Sequence, residues 1–221
     1  MVKKPGRRKE SRKNVMVIAV VVLGVLIAGA VGYYVYGAST VKQPPIQARI
    51  VTSLGSFDVV LYPASAPETV ANFVNLTKSG FFNNLVWHRI VSGFVVQTGD
   101  PLSRGGVNST RSSWGTGTSG RSVPFEYDPS LNNYRGYLAM ASSSPKSGGT
   151  SQFFINLVDN TSLDGDYSVF GKVVDDSGMA IVDKIANVPV YTAAQVGSGS
   201  HLLNQPITPV YVISITILES A

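Results

Sequence analysis

Cysteine is absent from the 221 residues, which excludes disulfides, thiol catalysis and thiolate metal sites. Histidine is scarce: His88 and His201 are the only two, and they lie far apart in the sequence. A histidine-rich metal centre is therefore not expected, and only a carboxylate site for a hard cation stays open. The reading is of a protein with no metal and no cofactor. There is no Gly-x-Ser-x-Gly elbow or other anchored nucleophile, which removes a Ser–His–Asp hydrolase. Nor is there an internal repeat. Charged residues make up only 14%, and the formal charge of +5 misleads until it is located. The first 14 residues hold Lys3, Lys4, Arg7, Arg8, Lys9, Arg12 and Lys13 against Glu10 alone, which leaves 11 basic and 12 acidic residues for the rest. So neutral a body lacks the basic face of a nucleic-acid domain, and no nucleic-acid partner is expected.

What the chain does have is one long apolar run. Val15 to Tyr36 is 22 residues without a charge. At about 1.5 Å per residue it spans a bilayer core of roughly 30 Å. The preceding basic cluster puts the N-terminus on the cytoplasmic side, and Tyr33, Tyr34 and Tyr36 fall where an interfacial aromatic belt belongs. A soluble core helix would not be apolar on every face. Ala28-Gly29-Ala30 resembles a signal-peptidase site, so secretion after cleavage is the alternative. Because the apolar run continues past that site, the reading is an uncleaved, single-pass anchor in the cell membrane. In either case the body lies outside the cytoplasm. The expected organisation is a basic cytoplasmic tail at 1–14, a transmembrane helix at 15–36, a linker at 37–45 stiffened by Pro44-Pro45, and a globular domain at 46–221. Nothing specifies a subunit interface, and a monomer is expected.

Within that domain the pattern is mostly of strands. Gln47 to Ser53 and Ser56 to Tyr62 flank Leu54-Gly55 as a hairpin. Ser65-Ala66-Pro67-Glu68 then opens a helix, with Ser65 as N-cap, Glu68 closing a capping box and Pro67 in the first turn. Val70, Phe73, Val74 and Leu76 form its apolar stripe, and Gly80 is its stop. Further strands are read at Tyr137–Met140, Gln152–Asn156, Tyr167–Val174 and Val210–Leu218, and a second helix at Met179–Ala186. About eight strands and two helices predict a mainly β fold, a closed or nearly closed antiparallel barrel with helical plugs. The Gly/Ser-rich stretch from Val196 to Leu203 has no assigned role.

The stretch Trp87 to Asp100 reads as two short strands about a turn at Ser92-Gly93. Inside it an arginine, Arg89, lies among apolar residues with no acid or base beside it. That suits a site holding a neutral, greasy ligand and offering one strong hydrogen-bond donor. His88 reads as a satisfied structural histidine rather than a base. The polar loop 101–124 is long enough to be functional or mobile; its Trp114 reads equally as a ligand contact or a loop anchor.

Four blocks in this order and spacing give the chain a likeness: His88-Arg89-Ile90 with Gly93-Phe94 and Gln97; Gly99-Asp100; Leu138-Ala139-Met140-Ala141; and Ser151-Gln152-Phe153-Phe154-Ile155 followed by Leu163-Asp164-Gly165 and Val169-Phe170-Gly171. Over residues 46 to 219 the chain resembles a cyclophilin-type peptidyl-prolyl isomerase. The resemblance implies a closed eight-stranded antiparallel β-barrel capped by two helices. It implies catalytic roles for Arg89, Phe94 and Gln97, with Gln97 supporting the arginine and the substrate backbone. Substrate contacts fall on Val95, Met140, Ala141, Ser142, Gln152, Phe154, Leu163 and Tyr167. The pocket walls are Phe94, Phe154 and Leu163, with Val95 where a larger methionine is usual. Three residues depart from the pattern. Ser162 stands where many members carry the tryptophan that contacts cyclosporin, so tight inhibition by that drug is not expected. Tyr167 replaces a frequent histidine, and Ser142 a frequent asparagine.

These residue types suit the reaction. Twisting an X–Pro bond sacrifices amide resonance, a barrier of ~18–20 kcal/mol. The twisted prolyl nitrogen regains its lone pair and accepts a hydrogen bond only near the transition state, so a donor placed there lowers the barrier selectively. Arginine, with a pKa above ~12, can only donate. Phe153 and Phe154 alternate faces, and the site is assigned to Phe154. The expected function is X–Pro isomerisation in proline-containing polypeptides during folding outside the cytoplasm. The alternative is a non-catalytic module of the same fold that tethers proline-containing segments at the membrane. Sequons occur at Asn75, Asn108 and Asn160, with Asn108 in the long loop preferred over Asn75 on the helix.

Overall fold

The computed structural model describes residues 43–218. The basic tail and the apolar run at 15–36 lie outside them. Among the described residues no helix is long and apolar enough to cross a membrane.

The domain is built on antiparallel strands: β1 (Ile46–Thr52), β2 (Gly55–Leu61), β3 (Leu85–Val86), β4 (Arg89–Val91), β5 (Val95–Thr98), β6 (Tyr137–Met140), β7 (Phe153–Asn156), β8 (Val169–Val173) and β9 (Tyr211–Leu218). Their order in one sheet is β3-β9-β1-β2-β8-β6-β7-β5-β4. The two ends of that order are neighbours in the chain, separated only by Trp87 and His88. The stretch 85–91 is thus one interrupted strand. Its first half pairs with β9 and its second half with β5, so the sheet curls round and meets itself. Counted once, that stretch brings the nine strands to the eight expected.

Strand alternation divides the side chains between two clusters. Val96, Leu138, Phe153, Ile155 and Phe170 join the main core with Phe73, Phe82 and Trp87. Their sequence neighbours Val95, Ala139, Phe154 and Val169 form a second, smaller cluster on the opposite face. Successive residues of a strand point to opposite sides, so one run of large side chains serves two purposes. The main core is aromatic: the Phe73 ring lies 5.1–5.5 Å from those of Phe82, Phe153 and Phe170.

Both expected helices are present. Helix α1 (Pro67–Lys78) buries Val70 and Phe73, with Val74 and Leu76 packed against the same core. Gly80 ends it at φ 69°. Phe81 N–H reaches back to the Leu76 carbonyl and Gly80 N–H to that of Thr77, the paired bonds of a Schellman stop. The start differs from the expected capping box. The N-cap is Ala66, and no side chain of the helix caps it. Instead the Glu126 carboxylate, far along the chain, accepts from Glu68 N–H at 2.9 Å and Thr69 N–H at 2.8 Å. A carboxylate held there also meets the positive end of the helix dipole. Helix α2 (Asp176–Ala186) begins three residues before the expected Met179, because Asp175 Oδ1 caps Gly178 N–H at 2.8 Å. It buries Met179, Val182 and Ile185.

The two segments without an assigned role pack on each other. The long loop folds into two 3₁₀ turns, Pro101–Gly106 and Asn108–Ser113. Trp114 is its anchor: the ring is buried, donates to Thr110 Oγ1 at 3.2 Å and stacks on Arg111 at 4.8 Å. A short helix, α3 (Ala193–Val196), opens the Gly/Ser-rich stretch under a Thr192/Gln195 capping box. Gln205 then donates to the Arg111 carbonyl at 2.9 Å, and the Asn204 carbonyl accepts Ile90 N–H at 2.8 Å beside β4. Of the three sequons, Asn75 and Asn108 are exposed, whereas Asn160 is buried and its amide is spent inside the fold.

Glu126→Ala is expected to lower the unfolding free energy by about 1 kcal/mol through loss of the α1 cap. Urea denaturation of the variant measures this, and an unchanged midpoint would show that α1 needs no cap from Glu126.

Candidate functional site

Directly opposed residues of antiparallel strands share a face. The register therefore lays out a row across the sheet: Arg89 opposite Gln97, Gln97 opposite Phe154, Phe154 opposite Ala139, and Ala139 opposite Val169. A polar end and an apolar end are placed side by side by pairing alone. Over this row lies a cavity of about 250 Å³, lined by Arg89, Phe94, Val95, Gln97, Ala141, Ser142, Phe154, Leu163 and Tyr167. The floor is Val95 and Phe154, and the Tyr167 ring meets Phe154 edge-on at 5.6 Å.

Arg89 is the only ionised side chain on that lining. Its guanidinium sits 5.9 Å from the centre of the Phe94 ring and 3.5 Å, at the long limit of a hydrogen bond, from Gln97 Oε1. Among the described residues it has no ion pair, although four other basic side chains of the domain do. Burial lowers its pKa from the ordinary value, yet a guanidinium stays protonated and acts only as a donor. Gln97 is held in turn. Its Nε2 donates to Gln152 Oε1 at 2.9 Å, and Gln152 Nε2 donates to the carbonyls of Gly115 and Gly117 at 3.0 and 2.8 Å. The long loop thereby reaches the arginine through two amides. Gly99 permits the close approach of β5 and β7: its φ is 93°, and a Cβ there would run into the Ser151 carbonyl.

Nine of the eleven side chains expected in the site line this cavity. The other two do not. Met140 is buried opposite Phe153 and so lies on that residue's face rather than the pocket's. Gln152 lines an adjoining cavity of about 370 Å³, shared with Gln97, Ala141 and Ser142 and roofed by Gly115, Thr116 and Thr118 of the long loop. Sequence reasoning passed over the asparagines beneath the site. Asn160 Nδ2 donates to the Phe94 carbonyl at 3.0 Å and to Asn156 Oδ1 at 2.8 Å; Asn156 Nδ2 reaches Asn133 Oδ1 at 3.3 Å. All three are buried. They tie the Phe94 turn to β7 and the 131–135 segment. Three asparagines scattered over 28 positions leave no local pattern; only the conspicuous run of buried strands around Asn156 hinted at a polar group needing partners.

His88 is 2% exposed; neither ring nitrogen meets a partner at full hydrogen-bond geometry, although the Val86 backbone and the Gln152 side chain lie near enough to favour its charged form. Burial pushes its pKa down to about 4; the nearby Asp100 carboxylate opposes that shift and the Arg89 charge adds to it. The imidazole is neutral beside Arg89 at neutral pH. Among the described residues no group of three or more His, Asp or Glu side chains is placed to hold a metal ion.

Comparison with known proteins places this geometry. Residues 47–215 match the family described as cyclophilin type peptidyl-prolyl cis-trans isomerase. The chain is 39% identical over 171 residues to the peptidyl-prolyl cis-trans isomerase of Acinetobacter baylyi, covering 75% of this chain and 82% of that protein. It is 37% identical over 175 residues to peptidyl-prolyl cis-trans isomerase A of Dickeya dadantii, covering 77% and 83%. Among solved structures it is similar to a Cryptosporidium parvum cyclophilin type isomerase crystallised in the presence of the dipeptide Ala-Pro. The TM-score is 0.65 at 30% identity, over 79% of this chain and 99% of that one.

The His88 shift carries a sign. A base whose folded pKa lies at about 4, below the unfolded 6.5, stabilises the fold fully above pH 6.5. That contribution is lost as pH falls through 4, and at 1.36 kcal/mol per unit it amounts to roughly 3 kcal/mol. Urea midpoints of wild type and His88→Gln at pH 7, 5 and 4 test this. The wild type is expected to lose more stability than the variant across the window, and parallel losses would remove His88 as the cause.

Proposed function

The chain belongs to the cyclophilin-type peptidyl-prolyl cis-trans isomerase family and is an isomerase of that kind, and from this premise we propose that Arg89 drives X–Pro exchange without a covalent step. The observation that carries the reading is an ionised donor, unpaired, on the rim of an otherwise uncharged cavity. Phe94, Phe154 and Leu163 take the proline ring into the apolar floor, which orients the prolyl nitrogen toward the guanidinium. In the planar amide that nitrogen offers no lone pair and the donor gains nothing. As the bond twists, the lone pair appears and Arg89 hydrogen-bonds it, so the interaction belongs to the transition state alone. Gln97, braced by Gln152, holds the guanidinium and presents an amide to the substrate backbone. Ala141 and Ser142 offer backbone groups along the cavity edge to a bound peptide. No proton moves in this reaction, which is why an arginine with no basic or acidic partner suffices.

The same proposal places the reaction outside the cytoplasm. The uncharged run from Val15 to Tyr36 behind a basic cluster supports a single-pass anchor. On this reading the isomerase domain acts as a monomer and meets proline-containing polypeptides as they fold outside the cytoplasm.

A hydrogen bond from a charged donor contributes roughly 1.5–3 kcal/mol, or about 10–100-fold in rate. Arg89→Ala in the full-length protein is expected to lower kcat/KM for an X–Pro peptide by that factor, followed by NMR exchange spectroscopy. Retention of full activity by the variant would overturn the assignment. Mass spectrometry of the N-terminus of the native protein tests the anchor, and a chain beginning at Val31 would refute it.

A further inference from the structure

Arg89 is not the only arginine of the domain withdrawn from water without a carboxylate. Arg111, in the second 3₁₀ turn of the long loop, is 6% exposed and has no ion pair among the described residues. Its guanidinium donates to the carbonyls of Pro206 at 3.0 Å and Ile207 at 3.1 Å, and lies 4.8 Å from the Trp114 ring centre and 5.6 Å from that of Tyr191. Carbonyl dipoles and ring faces relieve part of the cost of burying the cation, but neither brings a negative charge. Two of its five N–H donors are used in this way, and Nε, fully enclosed, meets no partner.

This arginine forms the floor of a cavity of about 600 Å³ between the long loop and the Gly/Ser-rich stretch. The other lining residues are Asn108, Ser112, Tyr191, Ser200, His201 and Leu202. Their polar groups are hydroxyls, an amide and an imidazole, and not one acid is among them. A donor-rich, acid-free hollow over a buried, uncompensated guanidinium complements a ligand with several acceptor oxygens and a negative charge. We propose that this cavity is an oxyanion site, built for a phosphoryl group, with Arg111 supplying the charge and Ser112, Ser200 and His201 the surrounding donors. The volume exceeds what a bare phosphate fills and leaves room for the moiety that carries it. The site is separate from the isomerase cavity, with which it shares no lining residue.

The test uses inorganic phosphate as the probe, titrated into the full-length protein while the Arg111 Nε–Hε and His201 side-chain resonances are followed by NMR. Saturable shifts in the wild type are expected, with the shifts abolished in Arg111→Gln. Because that change could also loosen the loop, His201→Glu is the second variant. It sets a carboxylate in the cavity wall, and is expected to weaken phosphate binding at least tenfold while isomerase activity stays at the wild-type level. Soluble glycerol 3-phosphate, which carries the phosphoryl group of a phosphatidylglycerol headgroup, distinguishes the source: binding tighter than that of phosphate and weakened in His201→Glu assigns the site to a lipid headgroup, and equal binding assigns it to a free phosphoryl ligand. Absence of a saturable shift in the wild type, or phosphate binding untouched by His201→Glu, would overturn the proposal.

Discussion

The domain depends on one constraint, the alternation of side chains along strands that form a closed sheet. At Phe153-Phe154 it is plainest. Phe153 is fully buried among Phe73, Phe82, Trp87 and Phe170, whereas Phe154 turns the other way and floors the cavity. A shift of one residue in the β5–β7 register would end the pairing of Gln97 with Phe154 and turn the side chains of one of the two strands to the wrong face. Binding site and core are two sides of one sheet, so the stability of one maintains the geometry of the other.

Closure of the sheet decides where the arginine stands. The strand 85–91 must serve β9 with its first half and β5 with its second, and Trp87-His88 is the break between them. Arg89 is the first residue after that break. It therefore emerges on the pocket face opposite Gln97, beside a neutral imidazole, and forms no ion pair among the described residues. A carboxylate paired with it would occupy the donors that the twisted amide needs. The brace is made of uncharged amides instead, Gln97 and Gln152, which orient the guanidinium without neutralising it.

Much of this was legible in the residues themselves, because the signals are local. The hairpin at Leu54-Gly55, the apolar face of α1 and its Gly80 stop each depend on neighbours within a few positions. Of the eleven side chains that the order and spacing of the Arg89, Gln97, Gln152-Phe153-Phe154 and Leu163 blocks implied, nine line the cavity. What escaped was settled by partners far along the chain. The α1 cap comes from Glu126, 58 residues from the Glu68 N–H it accepts. Met140 falls to the interior because it pairs with Phe153. Asn133, Asn156 and Asn160 become one buried network only when three segments converge.

The sequence by itself determined the class of the fold, the family and the uncharged chemistry of the site. Periodicity, turn residues and motif spacing are properties of short stretches that any compact fold must respect. Only the tertiary structure decided that the sheet curls so that strand 85–91 serves both its ends, that His88 sits buried and neutral, that Trp114 anchors its loop, and that the loop and the Gly/Ser-rich stretch pack together around Arg111. Each of these turns on burial or on a contact between distant residues. The environment of a side chain is a property of the assembled chain, and it sets the cost of leaving a donor or a charge unpaired.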